Sequence, residues 1–193
     1  MSSWRERRSA AAAVCAASRI LVVGCPGTGK STLARALARH TGLPLWHMDD
    51  LYWREGWTRP SDAELTRDLA TVLAHRRGII DGNYARFLPQ RCAWAEAVVY
   101  LDLPTLSAVR GLLARRWRRL RGDTASLPRR VREGGSRGGE PLSPGFVWLV
   151  LSFRWRVRPQ LLRALAPFDD GRLLVLRSRR QVRAFMDDDL GGD

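Results

Sequence analysis

Lysine is almost absent from this 193-residue sequence. Lysine and arginine together number 33, and Lys30 is the one lysine among them. Because arginine fills every other basic position, we infer that Lys30 stands where a compact ammonium group is chemically useful.

Cysteines and long apolar runs are also scarce. The three cysteines, Cys15, Cys25 and Cys92, are odd in number and show no C-x-x-C spacing. This pattern predicts free thiols in a reducing compartment such as the cytoplasm, and it disfavours a disulfide scaffold or a zinc site. No uninterrupted apolar run approaches the ~20 residues that cross a bilayer, so we expect no membrane partner.

The overall composition predicts a single globular domain. The chain is 45% hydrophobic and 27% charged, and its formal net charge is +14. Such a charge would attract nucleic acid or anionic lipid, or it reflects an arginine-rich site for phosphate groups. The charge is unevenly distributed: ten arginines lie between Arg110 and Arg137, where the only acids are Asp123 and Glu133.

Residues 19–33 carry the most specific motif in the chain. A short apolar run ends in a glycine-rich turn, and a segment with helical spacing follows, as in the pattern G-x-x-x-x-G-K-[ST]. Glycines let backbone N–H groups turn inward around an anion, and the helix N-terminus points its positive end at the same place. We therefore predict that a nucleotide phosphate chain binds to nine consecutive residues: Gly24, Cys25, Pro26, Gly27, Thr28, Gly29, Lys30, Ser31 and Thr32.

Acidic residues follow two predicted strands downstream of this loop. A strand over 43–48 is followed by Asp49 and Asp50, and a strand over 78–80 by Asp81. The carboxyl ends of parallel strands form ligand sites, so we expect Asp49 to orient or deprotonate a substrate. Asp81 would position Mg²⁺ together with Ser31. A helix N-cap is the alternative role for the acids at 49 and 50.

Two residues after Asp81 complete the predicted substrate side, and an arginine-rich insert faces it. Asn83 and Arg86 follow closely enough to reach a bound phosphate or acceptor. A helix that starts near Thr105 becomes dense in arginine, and a glycine-rich insert follows, which predicts a lid over about 115–145. The residues proposed to neutralise charge on a transferring phosphoryl group are Arg115, Arg116 and Arg119.

The remaining segments predict alternating strands and helices, and therefore a three-layer α/β fold with a parallel sheet. Residues 1–18 read as a poorly ordered or loosely helical extension, with a transit peptide as the alternative. Residues 19–193 read as one domain. Asp102 lies near the end of the strand predicted over 97–103 and either lines the site or serves as a structural cap.

Four segments together resemble the DNA topology modulation protein family, whose members are similar to adenylate kinases and other small P-loop kinases. They read G-C-P-G-T-G-K-S-T-L-A-R, H-M-D-D-L-Y-W, I-I-D-G-N-Y and V-V-Y-L-D-L-P. The resemblance implies a P-loop NTPase fold with five parallel strands in the order 2-3-1-4-5, and ATP binding. The chain departs from the family at the glycine-rich segment 133–140, which replaces G-C-P-E-R, and at Gly78, which replaces a tryptophan.

The sequence thus favours an ATP- and Mg²⁺-dependent kinase for a small, nucleotide-like acceptor, as a monomer or homodimer. One alternative is a nucleotide-gated protein that binds nucleic acid through the arginine-rich helix. Another is a kinase relative that binds ATP without transferring phosphate. The absence of the N-K-x-D guanine-recognition motif argues against a GTPase.

Overall fold

The computed structural model describes residues 4–123, 127–133 and 144–191. The strands are β1 (Arg19–Gly24), β2 (Leu45–His47), β3 (Gly78–Asp81), β4 (Ala97–Leu101) and β5 (Leu173–Leu176). The helices are α1 (Trp4–Ala16), α2 (Lys30–Thr41), α3 (Met48–Tyr52), α4 (Asp62–Leu73), α5 (Leu88–Trp94), α6 (Thr105–Leu120), α7 (Arg129–Glu133), α8 (Pro144–Arg156), α9 (Arg158–Leu165) and α10 (Arg179–Ala184). A π-helical turn over Phe185–Asp189 extends α10.

The five strands form one sheet in the order β2-β3-β1-β4-β5, and every neighbouring pair is parallel. This confirms the predicted fold class and strand order. Successive parallel strands require a crossover connection, and helices supply it on both faces of the sheet.

Strand β1 lies at the centre of the sheet and divides the core in two. Leu21 and Val23 face a cluster formed with α4, α5, α8 and α9. Ile20 and Val22 face a second cluster formed with α1, α2 and the C-terminal segment. Both faces of β1 are buried, which explains why its sequence is a continuous apolar run rather than an alternating one.

Local sequence signals account for several helix ends. Ser61 and Glu64 form a capping box at the start of α4, each side chain bonding to the other's backbone N–H. A break just before Pro159 separates α8 from α9. Helix α6 begins at Thr105 as predicted, and α7 belongs to the predicted lid. The proposed glycine hinges at 134–135 and 138–139 lie outside the described residues.

Most of the N-terminal extension is a 13-residue helix. A loose helix was one of its two predicted forms, but this helix is packed into the core. Ala10, Ala11 and Val14 are buried in the same cluster as Ile20 and Leu37. Their spacing places them on one side of α1, and small side chains let the helix lie close to the sheet. The sequence pattern missed this because alanine carries little hydrophobic contrast.

Gly78, one of the two departures from the resembling family, has a packing explanation. A Cβ atom there would lie 2.0 Å from the Trp46 ring. Trp46 also stacks on His75, with 4.8 Å between ring centroids. The indole of Trp46 thus occupies the space beside β3 that a side chain at position 78 would need.

We predict that Val14→Ala lowers the free energy of unfolding of the full chain by about 1–2 kcal/mol, because it removes two buried methyl groups. Chemical denaturation measures this change. Ala12→Ser is the control, since Ala12 is exposed on the same helix and should change stability by less than about 0.5 kcal/mol. Equal effects of the two substitutions would show that α1 is not part of the cooperative core.

Candidate functional site

The carboxyl ends of four strands meet at one edge of the sheet. Asp81 at the end of β3 pairs in register with Val22 of β1 and with His47 at the end of β2. On the other side of β1, Gly24 pairs with Leu101 of β4. This edge is where parallel α/β sheets bind ligands, and the glycine-rich loop leaves β1 there.

The glycine-rich loop depends on backbone conformations that glycine adopts readily. Gly27 and Gly29 have φ angles of 83° and 97°. Gly29 is the N-cap of α2, and its carbonyl accepts from the N–H groups of Thr32 and Leu33. The loop therefore delivers the N-terminus of α2 to the sheet edge, the arrangement that binds phosphate groups.

The loop is held in shape by bonds to one carbonyl oxygen, that of Cys25. The Thr28 hydroxyl donates to it at 2.7 Å and the Lys30 ammonium donates at 3.1 Å. Thr28 is buried, so its side chain closes the loop instead of facing a ligand. Burial raises the pKa of the Cys25 thiol to about 11, and the residue is therefore an uncharged packing group.

Helix α6 packs directly on this loop through two glycines. A Cβ atom at Gly111 would lie 1.9 Å from the Gly27 carbonyl oxygen. A Cβ atom at Gly27 would lie 2.3 Å from the Ala108 carbonyl oxygen. Only glycine at both positions permits this approach, which fixes the arginine-rich helix against the loop.

Lys30 lies in the electrostatic field of the neighbouring acids. Burial lowers the pKa of its ammonium group, while the charges of Asp81 and Asp49 oppose that shift. The charge of Arg115 lowers the pKa further. Asp81, Asp49 and Arg115, all predicted from the sequence, therefore lie within electrostatic range of Lys30.

Asp81 is the buried carboxylate of the site. One oxygen, Oδ2, accepts a hydrogen bond from His47 Nδ1 at 2.9 Å. Burial would raise the pKa of Asp81, but the His47 bond, the Lys30 charge and the Ser31 hydroxyl hold it below its ordinary value. The other oxygen, Oδ1, is buried and has no hydrogen-bond partner in the described part of the chain.

His47 is a site residue that the sequence reasoning missed. Burial would lower the pKa of its imidazole, but the hydrogen bond and charge of Asp81 outweigh burial and raise it. His47 directly precedes Met48 and Asp49 at the end of β2, the strand that pairs with β3. This position is the sequence signal that could have identified it as a site residue. A parallel register of β2 and β3 brings it opposite Asp81.

Asn83 bonds the glycine-rich loop, and its predicted contact with substrate stays a prediction. Its amide donates to the Gly24 carbonyl at 2.6 Å and accepts from the Gly24 N–H at 2.9 Å. This paired bond fastens the segment after β3 to the start of the glycine-rich loop. Asn83 therefore shapes the site through Gly24.

A second missed residue is Arg91, which is fully buried in α5. Its guanidinium donates to the carbonyls of Gly82, Asn83, Tyr84 and Phe87. Burial lowers the pKa of Arg91 to about 10, so it stays charged at neutral pH. One cation thus orders the whole turn that follows Asp81, and no local motif indicated it.

The predicted acceptor side is formed by Asp49 and the ring of Tyr84. The Tyr84 hydroxyl donates to Asp49 Oδ1 at 2.6 Å. Tyr84 has a φ angle of 35°, a conformation that favours glycine, and its ring lies 4.6 Å from that of Tyr52. The carboxylate of the neighbouring Asp50 accepts a hydrogen bond from the Arg129 N–H at 2.5 Å, which ties the start of α7 to this edge.

The tryptophans near Asp49 pack on one another. The ring centroids of Tyr52 and Trp53 lie 5.1 Å apart, and those of Trp53 and Trp57 lie 5.3 Å apart. The Arg59 guanidinium carbon lies 5.2 Å from the centre of the Tyr52 ring and 5.3 Å from the centre of the Trp53 ring. These contacts show that the aromatic side chains pack the loop.

The predicted arginines and Asp102 separate into different environments. Arg86 is exposed and pairs with Asp62. On α6, Arg115 and Arg119 are half-buried, whereas Arg116 is exposed. Arg116 therefore lies on the solvent side of the helix, away from the Gly27 contact.

Asp102 is a structural residue. Its carboxylate accepts two bonds from the Arg158 guanidinium, at 2.8 and 2.7 Å, and one from the Tyr100 hydroxyl at 3.0 Å. These bonds fasten the end of β4 to the start of α9. The interaction with Arg158 holds the pKa of Asp102 below its ordinary value, although burial acts in the opposite direction.

Residues 4–123, 127–133 and 144–191 contain no group of three or more histidine, cysteine or acidic side chains placed to hold a metal ion. No helix in the same ranges is both long and apolar enough to cross a bilayer.

Comparison with known proteins gives a partial family match and several similar structures. Residues 19–107 match a family model described as an AAA domain. No curated protein sequence matches the chain.

A gluconokinase from Sinorhizobium meliloti is 17% identical with a TM-score of 0.48, over 91% of this chain and 90% of that one. A shikimate kinase from Bacteroides thetaiotaomicron is 19% identical with a TM-score of 0.49, over 89% and 96%. The α/β architecture of this chain is established by its own strand order.

We predict that Gly111→Ala weakens nucleotide binding at least about tenfold, because the new Cβ atom must push α6 away from Gly27. Alanine favours a helix over glycine by about 1 kcal/mol, so helix propensity alone predicts stabilisation. Calorimetric titration with ATP and thermal unfolding measure the two effects. The control is Ala114→Gly, which lowers helix propensity at an exposed position of α6. Unchanged affinity together with a higher melting temperature for Gly111→Ala would contradict the contact.

We predict that Arg91→Lys lowers the free energy of unfolding by about 2–4 kcal/mol, because an ammonium group cannot bond the four carbonyls that the guanidinium reaches. Chemical denaturation measures the loss. Arg163→Lys serves as the control at an exposed position of α9 and should stay within about 0.5 kcal/mol of the parent. An equally small effect at position 91 would refute the role assigned to Arg91.

Proposed function

We propose that this protein is an ATP-dependent kinase that transfers the γ-phosphoryl group to a hydroxyl group of a small acceptor. The observation that carries the proposal is the position of Lys30 at the junction of the glycine-rich loop and α2, where its ammonium bonds the Cys25 carbonyl and lies within electrostatic range of Asp81, Asp49 and Arg115. Phosphoryl transfer requires positioned charges more than a strong nucleophile, and this set supplies both signs of charge.

The glycine-rich loop would bind the phosphate chain of ATP. The N-terminus of α2 supplies backbone N–H groups, and Lys30 supplies the ammonium charge for the β- and γ-phosphates. The Lys30 bond to the Cys25 carbonyl keeps that ammonium at the loop. The AAA-domain match over residues 19–107 supports nucleotide binding by this half of the chain.

The residues beside Lys30 fit a magnesium ion. Mg²⁺ prefers oxygen ligands, and the Ser31 hydroxyl and the Asp81 carboxylate lie next to each other. Asp81 Oδ1 is buried and has no hydrogen-bond partner in the described part of the chain. This oxygen would be free to contact Mg²⁺ directly or through a water molecule bound to the ion. Ser31 and Asp81 would hold the ion, which would supply positive charge to neutralise part of the charge on the phosphate chain.

Asp49 would receive the acceptor hydroxyl. It is exposed at the carboxyl edge of the sheet, and Tyr84 orients its carboxylate through Oδ1. A carboxylate held in this way can align the acceptor hydroxyl and accept its proton during transfer. Arg115, and Arg119 one turn later on the same side of α6, would stabilise the transferring phosphoryl group.

We predict that Asp49→Asn lowers kcat for transfer at least about 10²-fold while ATP affinity stays near that of the parent, because the acceptor base is lost and the phosphate loop is intact. The assay follows label from γ-labelled ATP across nucleoside monophosphates, nucleosides, sugars and hydroxy acids. Asp50→Asn is the matched control, since an asparagine can still accept the Arg129 N–H.

Lys30→Ala and Lys30→Arg extend the same assay to the donor side. Both should reduce turnover by about 10²-fold or more, the arginine variant because a planar guanidinium does not fit the place of a compact ammonium. Full activity of either Lys30 variant would refute the donor site. ATP binding without transfer to any acceptor class would favour a kinase relative that has lost transfer activity.

A further inference from the structure

Helix α6 has two sides with opposite surroundings. Ala108 and Gly111 pack on the glycine-rich loop, and Arg115 lies on the same side within the field of Lys30. The opposite side of the helix exposes large apolar side chains. These exposed residues belong to neither the core nor the candidate site.

The exposed apolar side chains form one stripe along the helix. Their spacings of seven, four and three residues place them within a narrow arc at about 100° per residue. The members and their exposed fractions are Leu106 at 60%, Leu113 at 59%, Trp117 at 59% and Leu120 at 74%. A continuous apolar stripe of this kind, repeated over four turns, indicates a surface that binds a partner.

Arginines border the stripe on both sides. Helical spacing places Arg116 on one side and Arg110 and Arg121 on the other, and all three are exposed. The Arg121 guanidinium lies 4.7 Å from the centre of the Trp117 ring. The surface thus combines an apolar centre with a cationic border.

The neighbouring helix α8 adds the same types of residue. It packs against α6 and exposes Trp148, Leu151 and Trp155, which share one side at spacings of three and four. Arg154 and Arg156 follow closely and are exposed as well. Tryptophan and arginine beside leucine are the residues that interfacial helices use at the boundary of a bilayer.

The expectation of no membrane partner rests on the lack of a bilayer-spanning run, which does not bear on binding at the bilayer surface. We propose that the stripe of α6 docks this protein on the surface of an anionic lipid bilayer. Leucine and tryptophan side chains would enter the boundary between headgroups and acyl chains, and the arginines would extend to the lipid phosphates. Each arginine near the surface would add to the attraction toward anionic lipid. The glycine-rich loop, on the other side of α6, would face away from the lipid.

Charge complementarity separates this occupant from two others. A second copy of the chain would bring the arginine borders of two stripes together, and like charges oppose such pairing. Single-stranded nucleic acid binds by stacking bases on aromatic rings, and α6 offers Trp117 alone beside three leucines, so nucleic acid would leave most of the stripe uncovered. A bilayer provides an apolar medium for the leucine and tryptophan side chains and negative charge for the arginines.

The test is co-sedimentation of the full-length protein with vesicles of phosphatidylcholine alone or mixed with phosphatidylglycerol. We expect binding to the mixed vesicles, weaker binding at high salt, and little binding to neutral vesicles. The double variant Leu113→Ser/Trp117→Ser should bind at least about tenfold more weakly, since two large apolar side chains would no longer enter the bilayer. Both residues are exposed, so its melting temperature should match the parent.

A charge-matched pair of variants checks the arginine border. Arg116→Gln/Arg121→Gln should weaken vesicle binding more than Arg163→Gln/Arg183→Gln, which removes the same charge from exposed positions of other helices. Equal loss in the two variants would overturn the docking face. Three other results would also overturn it: no binding to mixed vesicles, a dimer in light scattering that Leu113→Ser/Trp117→Ser dissociates, or retention of single-stranded DNA that depends on those two residues.

Discussion

The approach of α6 to the glycine-rich loop is the contact on which the rest of the structure depends. Gly111 and Gly27 allow the helix backbone to touch the loop backbone, and any side chain at either position would separate them. This contact fixes the rotation of α6. It turns Arg115 toward Lys30, and the same rotation turns Leu113 and Trp117 toward solvent. The candidate site and the proposed docking face are therefore two results of one packing constraint.

Buried polar groups then order the edge of the sheet around that contact. Arg91 holds the turn after β3 by its carbonyls, and Asn83 joins the same turn to Gly24. His47 holds Asp81 in place. Burying a cation or a carboxylate is costly unless its hydrogen bonds are satisfied, so these residues restrict the loops to one arrangement. A site for phosphoryl transfer needs such fixed charges, because its chemistry relies on position and electrostatics.

The pattern of the sequence predicted the alternating α/β fold and the start of α6, because each depends on local spacing, and the resemblance to a known family implied the strand order. The sequence pattern treated residues 1–18 as an extension, whereas α1 is packed into the core. Alanine-rich helices show weak periodic contrast, so a buried side of α1 leaves little trace in the sequence. Three candidate residues make contacts that the sequence did not indicate: Asn83 bonds the loop backbone, Arg86 pairs with Asp62, and Arg116 faces solvent. Their predicted roles toward a ligand stay predictions.

By itself the sequence determined the glycine-rich loop and the acids at the ends of β2 and β3, because motif spacing and parallel strand order fix which backbone ends meet. Only the tertiary structure decided which arginines of α6 face that edge and which border the apolar stripe. The reason is physical: ten arginines in one region are chemically alike, and helix rotation alone distinguishes them. That rotation is set by the contact of Gly111 with Gly27, two residues far apart in the chain.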